Sequence, residues 1–214
     1  MTTPIKIDFV SDISCPWCVI GLKSLQQALG RLGGDVSAEI HFQPFELNRN
    51  MPREGQDIAE HIAEKYGSTP EQMAESRERI RQRGADLGFT FEMGKRGRIY
   101  NTFDAHRLLH WAGLEGRQEA LKLALFDAYF TRGEDPSSHE VLARVAAEAG
   151  LDGAAAAQVL ASGQYAADVR ERENFYQNAG IHSVPAIIIN DRHLISGGQP
   201  PEVFEQALRQ IIAA

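Results

Sequence analysis

The chain's two cysteines stand together in Cys15-Pro16-Trp17-Cys18. Two cysteines three apart across the first turn of a helix can bring their sulfurs within bonding distance. Cys15 would then lie at the helix N-terminus, where unpaired N–H groups and the macrodipole stabilise an anion. Thiolate is the reactive form, so Cys15 is expected to have a lowered pKa and to act as the nucleophile. Cys18, inside the first turn and more buried, would be the resolving thiol. Attack by Cys15 on a disulfide gives a mixed disulfide, which Cys18 displaces to leave Cys15–Cys18 oxidised. Chance spacing and half a zinc site are the competing explanations. His106 and His110, four apart on an expected helix, could add two ligands. Roughly 90 residues separate the two pairs, far from the compact spacing of structural zinc sites, so no metal is assigned.

The elements that must position these sulfurs are legible around them. Ile5, Ile7 and Phe9 alternate as in a strand. After the cysteines, Leu22, Leu25, Leu29 and Leu32 recur at helical steps, with Pro16 where a first helical residue tolerates proline. Gly33-Gly34 should end that helix, and Ala38 to Phe45 reads as a second strand with Pro44 near its end. Strand, helix, strand predicts a parallel pair with a right-handed crossover. From about Asn48 to Ser162 the pattern is helical. Thr69-Pro70-Glu71-Gln72 and Ser137-Ser138-His139-Glu140 read as capping boxes. Gly84 and Gly88 should break one helix, Phe103 to Trp111 begins another, and Leu121 to Phe130 continues in helical register. Asp152 should cap an Ala-rich helix that Gly163 ends. A polar helix from about Tyr165 to Ala179 precedes a β-rich run, Val184 to Ile189. Asn190-Asp191 suits a two-residue hairpin turn into His193–Ser196, and a last helix starts near Pro201. The first and last parts make one small sheet with helices on its faces. The middle is too long for a loop and reads as an inserted helical subdomain.

Val184-Pro185 before a hairpin, far downstream of a CxxC that opens the first helix, resembles the thioredoxin fold. The long insertion narrows the resemblance to the DsbA family. Asp12 with Cys15-Pro16-Trp17-Cys18, Tyr100-Asn101-Thr102 with Ala105-His106-Arg107, and Val184-Pro185 with Ser196-Gly197-Gly198-Gln199 resemble its cytosolic FrnE-like branch. That branch is related to 2-hydroxychromene-2-carboxylate isomerases and kappa-class glutathione transferases. The resemblance covers nearly the whole chain. It implies an α/β thioredoxin-like fold with a large all-helical insertion. Residues 1–47 and 164–214 would form the thioredoxin-like domain and 48–163 the insertion. It implies a cis Val184–Pro185 bond beside the sulfurs; the ordinary alternative is a trans proline starting a strand. If the bond is cis, the Val184 backbone can pair with an extended substrate by strand addition. It also implies that Tyr100, Asn101 and His106 look across at the CxxC helix and shape a cleft.

Read alone, those residues have plainer roles. Asn101 or Thr102 would cap the Phe103 helix, and His106 would be a hydrogen-bonded structural histidine. Asp12 could orient the turn or accept a proton, but a carboxylate near Cys15 would oppose its ionisation. Pro16 and Trp17 form the dipeptide that meets substrate, with Trp17 expected exposed as an apolar contact. Gly94-Lys95-Arg96-Gly97-Arg98 could attract an anion such as a glutathione carboxylate, although a solvated loop is the simpler reading. Phe126, Tyr129 and Phe130 read as core.

The chain has 214 residues, 22 Lys+Arg against 29 Asp+Glu and a net charge of −7, with 43% hydrophobic and 24% charged residues. That composition excludes disorder as the main state and disfavours nucleic acid as a partner. No signal-like start and no run of ~18 apolar residues is present, so a cytoplasmic location is expected and no membrane partner. The expected function is a thiol–disulfide oxidoreductase of isomerase or reductase type, acting on protein or small-molecule disulfides and thiols. No cofactor is required beyond the redox pair, with glutathione a candidate co-substrate. Pro-Trp differs from the Pro-His of strongly oxidising DsbA proteins, so a strong oxidant is not assumed. The alternatives are a glutathione-dependent isomerase or transferase on a small aromatic compound, and a redox-sensing adaptor. In the transferase-like relatives a serine commonly replaces the first cysteine, and Cys15 with Cys18 argues against that chemistry.

Overall fold

The structure, a computed structural model, describes residues 2–213. Strand β1 (Thr3–Ser11) leads into helix α1 (Pro16–Leu32), and a short turn of 3-10 helix delivers the chain to β2 (Val36–Pro44). β1 and β2 pair in parallel, from Thr3 opposite Val36 to Ser11 opposite Pro44. β5 (Ala186–Ile189) lies antiparallel on the other side of β1, and β6 (His193–Ser196) pairs outside it, giving the order β2-β1-β5-β6. Helix α9 (Pro201–Ala213) packs against α1, and α8 (Ala166–Asn178) lies along β2.

β1 is buried on both faces. Ile7, Phe9 and Val10 are inaccessible, and Asp8, Ser11 and Asp12 are buried with them. The alternation of Ile5, Ile7 and Phe9 marks one face and conceals that the other is also covered. The hairpin turn follows its sequence. Asn190 and Asp191 have φ of 51° and 57°, as a type I′ turn requires. Asn190 Oδ1 accepts from the Lys6 amide at 3.0 Å, so the turn is also tied to the central strand.

Between β2 and α8 run α2 (Ile58–Tyr66), α3 (Pro70–Asp86), α4 (Phe103–Leu114), α5 (Gln118–Phe126), α6 (His139–Glu148) and α7 (Gly153–Ser162). The insertion is not wholly helical. β3 (Gln56–Asp57) and β4 (Arg98–Ile99) pair antiparallel within it, segments too short for any strand periodicity to show. Thr69 makes the full capping box with Gln72, and Asp152 caps α7. At the other expected box Ser138 is the cap, and its Oγ accepts from the Val141 amide. Ser137 turns instead to Asp135, so the reciprocal bond from Glu140 does not form.

Gly84 does not break its helix. It lies within α3 because a Cβ there would sit 2.3 Å from the Phe91 ring. The helical register from Leu121 to Phe130 is likewise interrupted. α5 ends at Phe126, and a π-helical turn spans Asp127–Arg132. That turn helps bury Phe126, Tyr129 and Phe130 together as core. Gln118 fixes α5 against the sheet: its Oε1 accepts from the Phe42 amide at 2.9 Å and its Nε2 donates to the Phe42 carbonyl at 3.1 Å. The side chain thus copies a strand's pairing along the outer edge of β2. No helix among the described residues is long and apolar enough to cross a membrane.

Candidate active site

The turn between β1 and α1 is built around Asp12. Its carboxylate accepts from the Ser14 amide at 3.3 Å, the Ser14 hydroxyl at 3.0 Å and the Leu47 amide at 2.7 Å. His106 Nε2 approaches Asp12 Oδ1 at 3.4 Å, a contact without the alignment of a hydrogen bond. Burial alone would raise the Asp12 pKa. The His106 contact and the Leu47 amide outweigh it and hold the group at about 2. Asp12 therefore orients the turn as a carboxylate.

Cys15 is the N-cap of α1, with Pro16 following in the first turn. Both cysteines are free thiols, 4% and 0% exposed. The neighbouring Cys18 side chain is the main cause of a lowered Cys15 pKa. The amides of Cys18 and Trp17 act in the same direction by facing the sulfur, without making a standard cap bond. Burial and the Asp12 charge oppose them. The Cys18 thiol is pushed well above its ordinary value, chiefly by burial and then by the adjacent Cys15 side chain. The expected asymmetry of the pair is therefore present.

The Val184–Pro185 peptide is cis, and the Cys15 thiol lies 3.7 Å from the Val184 carbonyl, to which it donates. Pro185 rests on α1 at Gly21, where a Cβ would come within 3.0 Å of its Cγ. Gly198 makes a similarly close approach to the Trp17 carbonyl. Arg83 donates to the Gly198 carbonyl at 3.1 Å and lies 6.0 Å from the Trp17 ring centre. Trp17 is thus half-buried and packed on the core, where its sequence context predicted an exposed side chain.

A cavity of about 810 Å3 opens beside Cys15. Cys15, Pro16, Trp17 and Val184 lie on its wall. Much of the rest is apolar, including Phe45, Ile58, Met73, Ile80 and Ile99. Three cations from three segments also reach it: Lys65 from α2, Arg77 from α3 and Arg96 from the loop before β4. None has a carboxylate partner among the described residues. Lys65 donates to the Leu47 carbonyl and to Asn48 Oδ1. Arg96 donates to the Ser14 carbonyl at 3.2 Å and lies 4.8 Å and 4.9 Å from the Tyr129 and Phe130 ring centres. Among the described residues, Glu46 is the sole carboxylate of the wall. Burial, then the facing Glu173, raises its pKa to about 8, although Arg170 bonds to both. At neutral pH the cavity is therefore cationic in a chain of net negative charge.

The remaining expected site residues lie off this wall. Tyr100 packs edge-on against Tyr129, with ring centres 6.4 Å apart. Asn101 accepts from the Phe103 amide at 2.9 Å and donates to the Met51 carbonyl at 3.2 Å, the helix-start role its sequence allowed. His106 stands behind the CxxC turn, against Asp12. Pro185 sits beneath Val184, on α1. No group of three or more His, Cys, Asp or Glu among the described residues could hold a metal ion.

Residues 6–209 fit the model of the DSBA-like thioredoxin domain. The chain belongs to that family. A probable DsbA oxidoreductase from Streptomyces coelicolor is 33% identical, with a TM-score of 0.88 over 96% of this chain and 89% of that one. A 2-hydroxychromene-2-carboxylate isomerase shares the fold at 17% identity and a TM-score of 0.71, over 96% and 95% of the two chains. So does the cytosolic disulfide reductase DsbM from Pseudomonas aeruginosa, solved with GSH, at 18% identity and 0.63, over 98% and 100%.

Sequence reasoning missed the cavity cations and one buried base. Lys65 and Arg77 lie in the helical stretch without any motif to mark them, and Arg96 sits in a loop given the simpler solvated reading. Lys122 carried a usable signal. It lies four residues before Phe126, on the buried side of α5 with Leu121 and Leu125.

Proposed function

We propose that this protein is a thiol–disulfide oxidoreductase in which Cys15 attacks and Cys18 resolves. The observation that carries the reading is the placement of the two thiols: Cys15 is the N-cap of α1, on the cavity wall and 3.7 Å from the Val184 carbonyl, while Cys18 is fully buried in the first turn. The Cys15 thiolate attacks one sulfur of a substrate disulfide. A Cys15–substrate bond forms, the substrate S–S bond breaks, and the other half leaves as thiolate. Cys18 then attacks Cys15 Sγ, the Cys15–Cys18 bond forms and the second half leaves. Thiols in the surroundings return the pair to its reduced form. In a cytoplasmic setting the flow runs toward reduction or isomerisation of disulfides. The Val184 carbonyl, 3.7 Å from the nucleophile, is available to an extended substrate backbone.

The cavity suits an anionic thiol with some apolar surface. Glutathione is the co-substrate we assign, its two carboxylates meeting the cations at Lys65, Arg77 and Arg96. Insulin reduction with glutathione as donor tests both statements. Wild type should turn over, Cys15→Ser should not, and Cys18→Ala should accumulate mixed disulfides. Glutathione binding that survives Cys15→Ser, in a wild type without insulin turnover, would replace this reading with a glutathione-dependent isomerase or transferase.

A further inference from the structure

Helix α2 carries Ile58, His61, Ile62 and Lys65 at the i, i+3, i+4, i+7 spacing of one helix face, and all four lie on the cavity wall. Both ends of that face are tied to the CxxC turn. At the start, the Ile58 amide donates to the Gly97 carbonyl at 3.1 Å, and the adjacent Arg96 donates to the Ser14 carbonyl at 3.2 Å, next to Cys15. At the end, Lys65 donates to the Leu47 carbonyl at 2.7 Å, and the Leu47 amide donates to Asp12 at 2.7 Å. His61 lies between these ties, on the wall it shares with Cys15 and Val184. One of its ring nitrogens is committed. The Glu64 carboxylate accepts from Gln56 Nε2 at 2.7 Å, so Gln56 turns its Oε1 toward His61. That oxygen lies 2.8 Å from His61 Nδ1 and can only accept, which fixes the ring hydrogen on Nδ1. Nε2 is left as the acceptor. It has no hydrogen-bond partner among the described residues and is open rather than enclosed by protein. Burial first, then Lys65 and Arg96, hold the His61 pKa below the ordinary histidine value, against the pull of Glu64. Of the other charges around it, Arg98 of β4 donates to the Glu54 and Gly55 carbonyls, Asp57 caps α2, and Arg77 of α3 stands on the cavity wall. At neutral pH the ring is therefore uncharged. It offers a lone pair on a wall whose three cations can only donate.

We propose that His61 is the base for the thiol that re-reduces the Cys15–Cys18 disulfide, its Nε2 taking the proton from the co-substrate sulfur. The proposal deepens the glutathione reading above and rests on it. A thiol held in the cavity by its carboxylates is a poor nucleophile until that proton is lost. With the proton on Nε2, the glutathione thiolate attacks Cys15 Sγ of the oxidised pair. The Cys15–glutathione bond forms and the Cys15–Cys18 bond breaks. Cys18 leaves with the electron pair and takes up a proton from solvent, to which His61 returns its own. The glutathione sulfur is oxidised to the mixed disulfide and Cys18 is reduced to the thiol. A second glutathione thiolate, formed in the same way, attacks the glutathione sulfur of that bond, and Cys15 leaves as thiolate with glutathione disulfide as product.

The test mixes oxidised full-length protein with saturating glutathione. Loss of the Cys15–Cys18 bond is followed by acid quench, alkylation of the freed Cys18 and mass spectrometry. In wild type the rate should be level between about pH 6.5 and 7.5, where neutral His61 supplies the base, and should fall below that range as the ring takes a proton. In His61→Asn it should be about tenfold lower or more near neutral pH, and should climb about tenfold per pH unit with the ionised fraction of the thiol. Glutathione affinity, measured by calorimetry on Cys15→Ser with and without His61→Asn, should agree within about twofold, and Tm should hold. His61→Gln should repeat this pattern and serves if the asparagine variant folds poorly. A variant that keeps the wild-type pH profile, or that loses affinity and rate in equal measure, would overturn the role of His61 alone. A wild type whose Cys15–Cys18 bond stays intact in glutathione would overturn the co-substrate reading, and the proposal with it.

Discussion

Gly84 and Gly30 are both helical glycines, and the structure assigns them opposite responses to alanine. In an open helix interior, Gly→Ala stabilises by about 1 kcal/mol. Gly30 is such a place: it is exposed in α1 and nothing lies within 4 Å of a Cβ built there. At Gly84 the same atom would lie 2.3 Å and 2.5 Å from two Phe91 ring carbons and 2.9 Å from the Phe89 carbonyl. The ring cannot swing aside freely, because Phe91 is 3% exposed and packs edge-on against Phe89 and Phe130 at 4.8 Å and 5.3 Å. Overpacking of this kind costs about 1–3 kcal/mol, and partial expulsion of a phenylalanine about 2 kcal/mol more. Set against the helix gain, the net loss for Gly84→Ala is about 2–4 kcal/mol. In a chain of this size each kcal/mol moves Tm by about 2–4 °C, so the fall should be about 4–16 °C. Gly30→Ala should raise Tm by about 2–4 °C. Differential scanning calorimetry on both variants decides it. Shifts of the same sign, or a Gly84→Ala protein as stable as wild type, would refute the claim that glycine is present at 84 to admit Phe91. The site gives a second readout. α3 carries Met73, Arg77 and Ile80 to the cavity wall, so Gly84→Ala should also weaken binding of an anionic thiol, whereas Gly30→Ala should not.

Two buried carboxylates should give opposite pH signatures. Asp12 is held at about 2, so its contribution of about 2 kcal/mol is present above pH 4 and lost as pH falls toward 2; urea unfolding of Asp12→Asn should lack that acid loss, and a parallel pH dependence in the variant would contradict it. Glu46 is raised to about 8, so its contribution is complete below about pH 4.5 and declines as pH rises through 8. Glu46→Gln should flatten the fall in wild-type Tm between pH 5 and pH 8, and an unchanged slope would assign that fall to other groups.

The parts of this molecule that were legible in the sequence are those where local chemistry and tertiary context agree. Pro16 after Cys15, Thr69 with Gln72 and Asn190-Asp191 each specify a backbone geometry that their neighbours do not override. The misreadings share a cause, which is that a contact from far along the chain decided the outcome. Gly84 read as a helix end because only the presence of Phe91 explains it. Trp17 read as exposed because Gly198 and Arg83, which cover it, arrive from the C-terminal part and from the insertion. Arg96 read as solvated because the Ser14 carbonyl that holds it is 82 residues away. Tyr100 and Asn101 were drawn toward the site by family resemblance, while Asn101 kept the local capping role that its own position predicted.

The charges behind the CxxC turn add a constraint on the chemistry that spacing could not convey. The Cys18 side chain first, and then the amides at the start of α1, favour ionisation of Cys15, while burial and Asp12 work against it. Burial disfavours ionisation of Cys18, while Lys122 works for it. The two buried charges therefore oppose the asymmetry that the helix and burial create. Removing Asp12 would make Cys15 a better leaving group, and removing Lys122 would make Cys18 a poorer nucleophile. A pair with both groups in place holds its two sulfurs closer in acidity than the helix alone would leave them.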